Sequence, residues 1–493
     1  MKKVYRGPHA SRGGKPRSRP YRPIGSYYSE ATGSQQSRLP CNSAVKFRRC
    51  TCTKGAQPML EHIAGLSFIS YLAVLMSLIA VQMLVLRDKI WNMFDPLLLI
   101  VLNISLNASI VVFLYLNGQA QLSYALYVLA GTILFCLGVK TKRLSLGKRP
   151  IHDPKASGLS RKFTIILLSI SLFYLAISSL YMLSQIGLGI LTGDANPDLV
   201  KVTLTQDGLG AFKHIGAAGD LLFLPLVAYA FFSLRIRRFS LFCLFCYAVR
   251  MILFPLSKSG LVFAIFDLGI IMHFYKYHFS STIISVKKVL LIGLAGIIPA
   301  AIVLFNVTSK YESTILSLVI ERLIVTGFGT YQYFISGGKE FLDSMVFGER
   351  LLHYFDTLLS SLRIKPWEEM SHVAKMTYHI TGNYLPGFGA NPYIFMDGHF
   401  LFGWGGGLYC YLIGVAIAWS RRQQTNFLIF YLAVKLSAYL VADPAILQAQ
   451  LIALLLYVPP VLLLYAGAKC TNRSTHLNLR RVHCAPGHVY EKA

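Results

Sequence analysis

The side chains best suited to chemistry lie where apolar stretches of the chain meet polar ones. Arg250 lies about six residues inside the end of one apolar stretch, roughly 9 Å deep in a helix, and Ser257-Lys258-Ser259-Gly260 follows it. Guanidinium, ammonium and hydroxyl groups donate hydrogen bonds to phosphate oxygens, so these residues are candidates for binding a lipid-linked phosphate. In the alternative interpretation, Arg250 reaches up to the membrane surface and the tetrapeptide is an ordinary helix hairpin.

A second group of ionisable residues lies at the two ends of the longest polar stretch, which runs from Asn306 to Asp397. Arg322 lies near its start. At its end, Asp397-Gly398-His399 leads directly into the run Phe402-Gly403-Trp404-Gly405-Gly406-Gly407 and an apolar span. Because these three ionisable residues lie nearest the apolar segments, we take Arg322, Asp397 and His399 as candidates for catalysis at a membrane surface. Many other charged residues of the stretch form a solvated surface.

Two more ionisable residues lie inside apolar spans, Asp267 and Lys435. Charged groups are costly in lipid and are usually paired there or used in proton relays. Nothing in the sequence joins these two residues directly, and structural pairing is the expectation for each.

Sequence motifs exclude several kinds of chemistry. No His, Cys or carboxylate spacing indicates a metal site, and there is neither a phosphate-binding Gly-Lys-Ser/Thr loop nor a nucleophile elbow. The nine cysteines form no disulfide framework, and the Cys-x-x-Cys of Cys243 and Cys246 lies in an apolar helix, where buried thiols are expected. We therefore expect no cofactor.

Composition places the chain among polytopic membrane proteins. Hydrophobic residues make up 54% and charged residues 14% of the sequence, and the mean hydropathy is +0.52. The net charge of +27 would suggest nucleic-acid binding in a soluble protein, but here most basic residues lie in short loops between apolar spans. Such residues set membrane orientation, so we expect no nucleic-acid partner.

Apolar stretches of suitable length predict an all-α, polytopic integral membrane protein with about eleven transmembrane helices. The predicted spans are 62–86, 93–117, 120–139, 163–186, 218–234, 239–256, 261–275, 289–306, 398–419, 425–441 and 446–466. They divide into a first bundle within 59–306, a large loop over 307–397 and three last spans within 398–466.

The connecting loops alternate in charge, which predicts the orientation. Basic residues concentrate on one side, predicted to be cytoplasmic: Arg87, Lys89, the cluster from Lys140 to Lys162, Arg235, Arg237, Arg238, Lys276, Lys287, Lys288, Arg421, Arg422 and the tail 467–493. The loop 307–397 then lies outside. Segment 313–335 carries Glu321-Arg322 at its centre, so we interpret it as an amphipathic helix at the outer interface with Arg322 facing a polar cavity.

Residues 1–58 differ from the remainder. They contain thirteen Lys or Arg residues, one acidic residue (Glu30) and no apolar periodicity, a composition that predicts disorder. One interpretation is a basic arm on anionic lipid headgroups. The other is an extension upstream of a start at Met59, which the orientation favours because the arm would otherwise have to cross the membrane.

Taken together, these features resemble the Wzy-type polymerases of O-antigen and other oligosaccharide repeat units. The resemblance covers roughly residues 59–466: many spans, a large late loop, an Arg/Lys-bearing helix end at Arg250 and Lys258, and a loop that ends Asn391-Pro392-Tyr393 before Asp397 and the glycine run. It is architectural, with one moderately specific segment. Residues 1–58 and the tail after Lys469 have no counterpart in it.

The resemblance implies a reaction at the outer face of a bacterial inner membrane. A growing glycan would move from its undecaprenyl-diphosphate carrier to the non-reducing sugar of a new lipid-linked repeat unit, without a metal. Arg250, Lys258 and Arg350 would bind the diphosphate, and Arg322 would act in catalysis. His399, His379 or Asp397 would be the base for the acceptor hydroxyl. Membrane lipid and a chain-length regulator protein are the further partners.

Two other functions fit parts of the pattern. An O-antigen ligase has similar architecture but transfers glycan to lipid A-core. A lipid-linked glycan flippase or transporter would need no long external loop, and the sequence has no internal repeat of the kind that transporters show.

The predicted orientation has a direct test. In intact cells, a membrane-impermeant thiol reagent should label a cysteine introduced at Lys365 but not one at Lys148, because only the first lies outside. Labelling at Lys148 from outside would reverse the topology.

Overall fold

A computed structural model describes residues 63, 66–141, 160–186, 210–253, 266–275, 324–365, 372–382, 393–422 and 426–463. These residues form helices joined by turns, with no strand among them. Arg322, Lys258 and the predicted span 289–306 lie outside the described residues.

The helices follow one another in a simple order. In chain order they are α1 (Phe68–Leu86), α2 (Pro96–Leu116), α3 (Leu122–Lys140), α4 (Arg161–Ile186), α5 (Gly210–Phe232), α6 (Arg237–Leu253), α7 (266–275), α8 (Phe328–Phe334), α9 (Gly338–Asp343), α10 (Phe347–Tyr354), α11 (Asp356–Ser361), α12 (His372–Thr381), α13 (Ile394–Phe402), α14 (Gly406–Ser420), α15 (Phe427–Ala442) and α16 (Pro444–Leu455).

Seven helices of the described chain are long and apolar enough to cross a membrane. They contain α1 to α5, α13 joined to α14, and α16, and each matches one of the predicted spans. An all-helical membrane protein is therefore confirmed. Helix α15 is apolar but has 16 residues, and α6 has 17. The count of eleven spans and the external position of the large loop stay predictions.

Aspartate followed by proline begins two of the long helices. Asp95 accepts a hydrogen bond from the backbone N–H of Leu97 at the start of α2, and Asp443 accepts one from Ala445 at the start of α16. The carboxylate satisfies one of the free N–H groups of the first turn, and the fixed φ of proline suits the first helical position. These dipeptides therefore set where α2 and α16 begin.

Helices α3 and α14 pack side by side and run in the same direction. Tyr127 lies against Gly406 near their first turns, whereas Gly138 and Gly414 lie against each other further along. A Cβ on Gly138 would overlap the carbonyl oxygen of Tyr411, and one on Gly414 would overlap that of Phe135. Only glycine permits this approach, as in the small-residue interfaces of membrane helices. We call this contact the glycine seam.

A buried ion pair closes one end of the bundle, which we call the Arg421 end. The Arg421 guanidinium donates to both carboxylate oxygens of Asp95, at 2.6 and 2.7 Å, and to the carbonyl oxygen of Lys89. It also lies 3.6 Å from the centroid of the Trp91 ring. Arg422 donates to the carbonyl oxygen of Thr141. Three loops predicted to share the cytoplasmic side thus meet at one end.

Further ion pairs lie inside the bundle. Lys435 of α15 donates to Asp267 of α7 at 2.7 Å and to the Tyr431 hydroxyl at 3.0 Å. The structural pairing expected for these two residues is confirmed, and each is the other's partner. A buried charge that lost this partner would carry the full cost of its desolvation.

The glycine seam predicts a sharp dependence of stability on a single methyl group. Gly138→Ala and Gly414→Ala should each destabilise the protein by about 1–3 kcal/mol, because a backbone carbonyl rather than a movable side chain meets the new Cβ. Thermal unfolding of the detergent-solubilised protein measures this. The matched control is Gly348→Ala, where a Cβ would meet nothing within 4 Å. If both alanine variants unfolded at the wild-type temperature, α3 and α14 could move apart without loss of stability, and the prediction would be wrong.

Candidate functional site

The candidate site lies at the opposite end of the bundle, which we call the site end, where α13 enters among the loop helices. Residues Ile394 to Leu401 are all buried. The chain then turns from α13 into α14 through Gly403–Gly405, and Gly403 has a φ of +54°, which glycine adopts without strain. This short buried helix carries both Asp397 and His399.

Asp397 faces His372, the first residue of α12. Its Oδ1 lies 3.7 Å from His372 Nε2, and the two residues are 0% and 6% exposed. The His372 ring stacks on Phe400, with an interplanar angle of 1° and centroids 4.9 Å apart. Among the described residues, neither carboxylate oxygen nor either ring nitrogen has a hydrogen-bond partner. Buried polar atoms are nearly always satisfied, so these four atoms, unpaired among the described residues, make the pair a candidate site for a polar ligand or a proton.

A second carboxylate, Asp443, lies close to this pair. It is half-buried at the start of α16, where its side chain accepts the N–H of Ala445. Burial raises the pKa of the Asp443 carboxyl to about 6, and the negative charge of Asp397 adds to the rise. A carboxyl group with a pKa of about 6 can hold and release a proton near neutral pH.

Tyrosine hydroxyls line the same region. The Tyr354 hydroxyl of α10 lies 3.0 Å from that of Tyr409 on α14. Burial raises the pKa of Tyr354 above its usual range, and the negative charge of Asp397 adds to the rise. Its hydroxyl therefore stays protonated at neutral pH, where it can donate or accept a hydrogen bond.

The position of His399 differs from that of Asp397, although they are only two residues apart. Two residues turn a helix by about 200°, so the side chains leave opposite faces of α13. Four aromatic rings surround His399, and its centroid lies 5.1 to 5.7 Å from those of Tyr127, Tyr333, Phe334 and Trp404. Its Nδ1 lies 2.9 Å from the Tyr333 hydroxyl, and the residue is 2% exposed. The structure thus places it in an aromatic enclosure, away from Asp397.

Arg350 connects the loop helices to α13 through hydrogen bonds. Its Nε and its two terminal nitrogens donate to the carbonyl oxygens of Met345, Phe400 and Asp343, at 2.9, 2.9 and 3.0 Å. A guanidinium committed to three backbone carbonyls keeps fewer N–H groups for a diphosphate. The role of Arg350 in diphosphate binding stays a prediction. The structure shows in addition that Arg350 joins α13 to the loop helices.

The other predicted site residues lie apart from this cluster. His379 is exposed on α12, two turns from His372 or roughly 10 Å along the helix, and stacks on Phe341. Arg250 forms a bidentate pair with Asp220, at 2.8 and 3.3 Å, and donates to Ser179. Its charge is therefore neutralised within the protein. Because Lys258 and Arg322 lie outside the described residues, the predicted pocket that joins them to Arg250 stays a prediction.

Sequence reasoning missed His372 and Asp443 as site residues. His372 lies in a long polar stretch with no periodic pattern to single it out, and only tertiary packing brings it to Asp397. Asp443 could have been found from the sequence. It precedes Pro444 between two apolar spans, and such an Asp-Pro pair predicts a helix cap buried at a membrane boundary.

Comparison with known proteins identifies no relative: no family model matches this chain, and neither a curated protein nor a solved structure shows significant similarity to it.

The raised pKa of Asp443 predicts how stability depends on pH. The folded protein holds this proton up to pH 6, whereas the unfolded chain releases it near the ordinary value of 3.8, so stability falls as the pH rises through this window. Asp443→Asn keeps a capping side chain but cannot ionise. The variant should match the wild type at pH 4 and exceed its stability by up to about 3 kcal/mol above pH 6.

Thermal unfolding between pH 4 and 8 measures the difference between the two proteins. A constant difference across this range would contradict the assignment of the transition to Asp443.

Proposed function

We propose that this protein is a membrane glycosyltransferase that polymerises lipid-diphosphate-linked oligosaccharide repeat units, as an O-antigen polymerase does. The observation that carries the proposal is the buried His372–Asp397 pair, whose polar atoms have no hydrogen-bond partner among the described residues, at one end of an apolar helix bundle. Loop helices cover this end, and the glycine- and aromatic-rich segment that suggested the family leads out of it.

The pair supplies what the acceptor hydroxyl requires. His372 Nε2 faces Asp397, so the carboxylate favours the tautomer with hydrogen on Nε2 and leaves the lone pair of Nδ1 free to take a proton. The acceptor oxygen then forms a bond to the anomeric carbon of the donor glycan. The bond from that carbon to the diphosphate breaks, the diphosphate leaves with the electron pair, and the proton stays on His372. Asp397 stabilises the imidazolium that results.

Positive charge for the leaving diphosphate is available at the same end. Lys339 and Arg350 lie on either side of Asp343, at 2.8 and 3.6 Å from its carboxylate oxygens. A hydrogen bond to Asp343 raises the pKa of Lys339, so its ammonium is fully charged at neutral pH. A phosphate that displaced Asp343 would meet both cations. With Arg322, and with Lys258 if the predicted pocket forms, they would stabilise the charge that develops as the diphosphate leaves.

A lipid-linked glycan flippase or transporter is a second candidate, because ionisable residues also pair within the helix bundle. Lys435–Asp267 and Arg250–Asp220 join helices α15 with α7 and α6 with α5. Such pairs mark substrate pathways in some transporters. An O-antigen ligase shares the chemistry of the polymerase and differs in its acceptor. On either enzymatic interpretation the protein works at the outer face of the bacterial inner membrane.

The His372–Asp397 pair gives the sharpest test of the proposal. His372→Gln and Asp397→Asn should each reduce polymerisation by about 100-fold or more, because the first removes the base and the second removes the carboxylate that orients and stabilises it, while both preserve size. The assay is complementation of a polymerase-null strain, with the glycan ladder separated on a gel and membrane abundance checked by immunoblot. His379→Gln is the matched comparison on the same helix, and it should retain most of the ladder because the structure leaves that side chain exposed.

The pattern of products separates the candidate functions. Loss of polymerase activity leaves lipid A-core bearing a single repeat unit, whereas loss of a ligase or a flippase leaves lipid A-core bare. A full ladder from both the His372 and the Asp397 variants would remove the pair from the mechanism.

A further inference from the structure

Helix α10 and the residues that flank it expose apolar side chains on the surface of the protein. Phe347, Leu352 and Phe355 are 52%, 50% and 40% exposed, and Val346 immediately before them is 70% exposed. At 100° per residue, the three side chains of the helix fall within an arc of about 140°. They therefore form one continuous apolar face.

Two charged side chains of α10 and α11 point inward, whereas Glu349 and Ser361 are exposed. Arg350 donates to three backbone carbonyls, and Asp356 is buried and accepts from Lys365 at 2.9 Å. A loop surrounded by water has the reverse arrangement, with polar groups outside and apolar groups inside. An apolar face of this kind on an otherwise polar loop indicates contact with another apolar surface.

Contacts with α16 fix the depth of these helices. The Gln448 side chain accepts the N–H of Leu358 at 3.0 Å and donates to the carbonyl oxygen of Tyr354 at 2.7 Å. Gln448 lies four residues after Pro444, or about 6 Å along the helix from its start. The helix that contains it, Pro444–Leu463, is one of the seven able to cross a membrane. The junction of α10 and α11 therefore lies level with the first turns of a membrane span.

We propose that α10 and α11 lie in the interfacial layer of the bilayer, with Phe347, Leu352 and Phe355 in the hydrocarbon of the leaflet at the site end. Leu451 and Leu455 of α16 are also exposed, and they follow Gln448 by three and seven residues, on the face of α16 that contacts the loop helices. Arg363, which is exposed just after α11, is placed to meet lipid phosphate groups. The partner of this surface is membrane lipid.

This arrangement places the His372–Asp397 pair beside the membrane surface. Arg350 and the Tyr354–Tyr409 contact join α10 directly to α13 and α14. Anything that reaches the pair past α10 comes from the plane of the membrane. The proposed lipid contact does not require the protein to be a polymerase, because it is inferred only from the exposure of the apolar side chains and the depth of α10.

Photo-crosslinking in native membranes tests the surface. A benzophenone amino acid introduced at Leu352 or at Phe355 in the full-length protein should form adducts with phospholipid, detected as a mass increase of the purified protein after irradiation. The control is Tyr378, an exposed aromatic residue on α12, a helix that packs mainly on the loop helices α8 and α9. No lipid adducts should form when the benzophenone is introduced at position 378.

Each other outcome overturns the proposal. Adducts at twice the protein mass would identify a second copy of the chain as the occupant, and adducts with another protein would identify a heterologous partner. Equal lipid labelling at 352, 355 and 378 would show that α10 and α12 do not differ in their depth in the membrane. Membrane abundance equal to the wild type confirms that each variant folds, and these exposed positions tolerate a larger side chain.

Discussion

The position of α14 depends on one buried ion pair at the Arg421 end of the bundle. Asp95 is fully buried, and its two oxygens accept four hydrogen bonds, from the N–H groups of Trp91 and Leu97 and from both terminal nitrogens of Arg421. Such complete satisfaction offsets the cost of burying two charges, whereas loss of one partner typically costs about 3–5 kcal/mol. The same carboxylate begins α2 and fixes the end of α14. The segment formed by α13 and α14, which carries Asp397, is thus held near both of its ends, by Arg350 and by this pair.

At the site end the physical situation is reversed. Asp95 has every hydrogen bond it can use, whereas Asp397, equally buried, has none among the described residues and only His372 at 3.7 Å. This contrast is the reason why the proposed chemistry is assigned to the site end and a structural role to the Arg421 end.

The sequence predicted the spans well because hydropathy is a local property of 17 to 25 neighbouring residues. It also located Asp397, since a charged residue next to a glycine-rich apolar run is conspicuous without any knowledge of the fold. It failed where function depends on packing between distant segments. Nothing local pairs His372 with Asp397, Arg250 with Asp220, or Lys435 with Asp267, and nothing local shows that Arg350 is occupied by backbone carbonyls or that His399 lies among four aromatic rings.

The glycine seam has a consequence for how the protein is made. Helix α3 leaves the ribosome early, yet its partner α14 follows more than half the chain later. Until then Gly138 has no partner on α14, and the surface around it can associate with any other small-residue helix in the membrane. Contacts between segments so far apart in sequence close late in folding. Docking of α14 onto α3 is therefore expected to be a late step in folding, and truncated or stalled chains would leave the surface of α3 exposed to the cell's quality-control proteases.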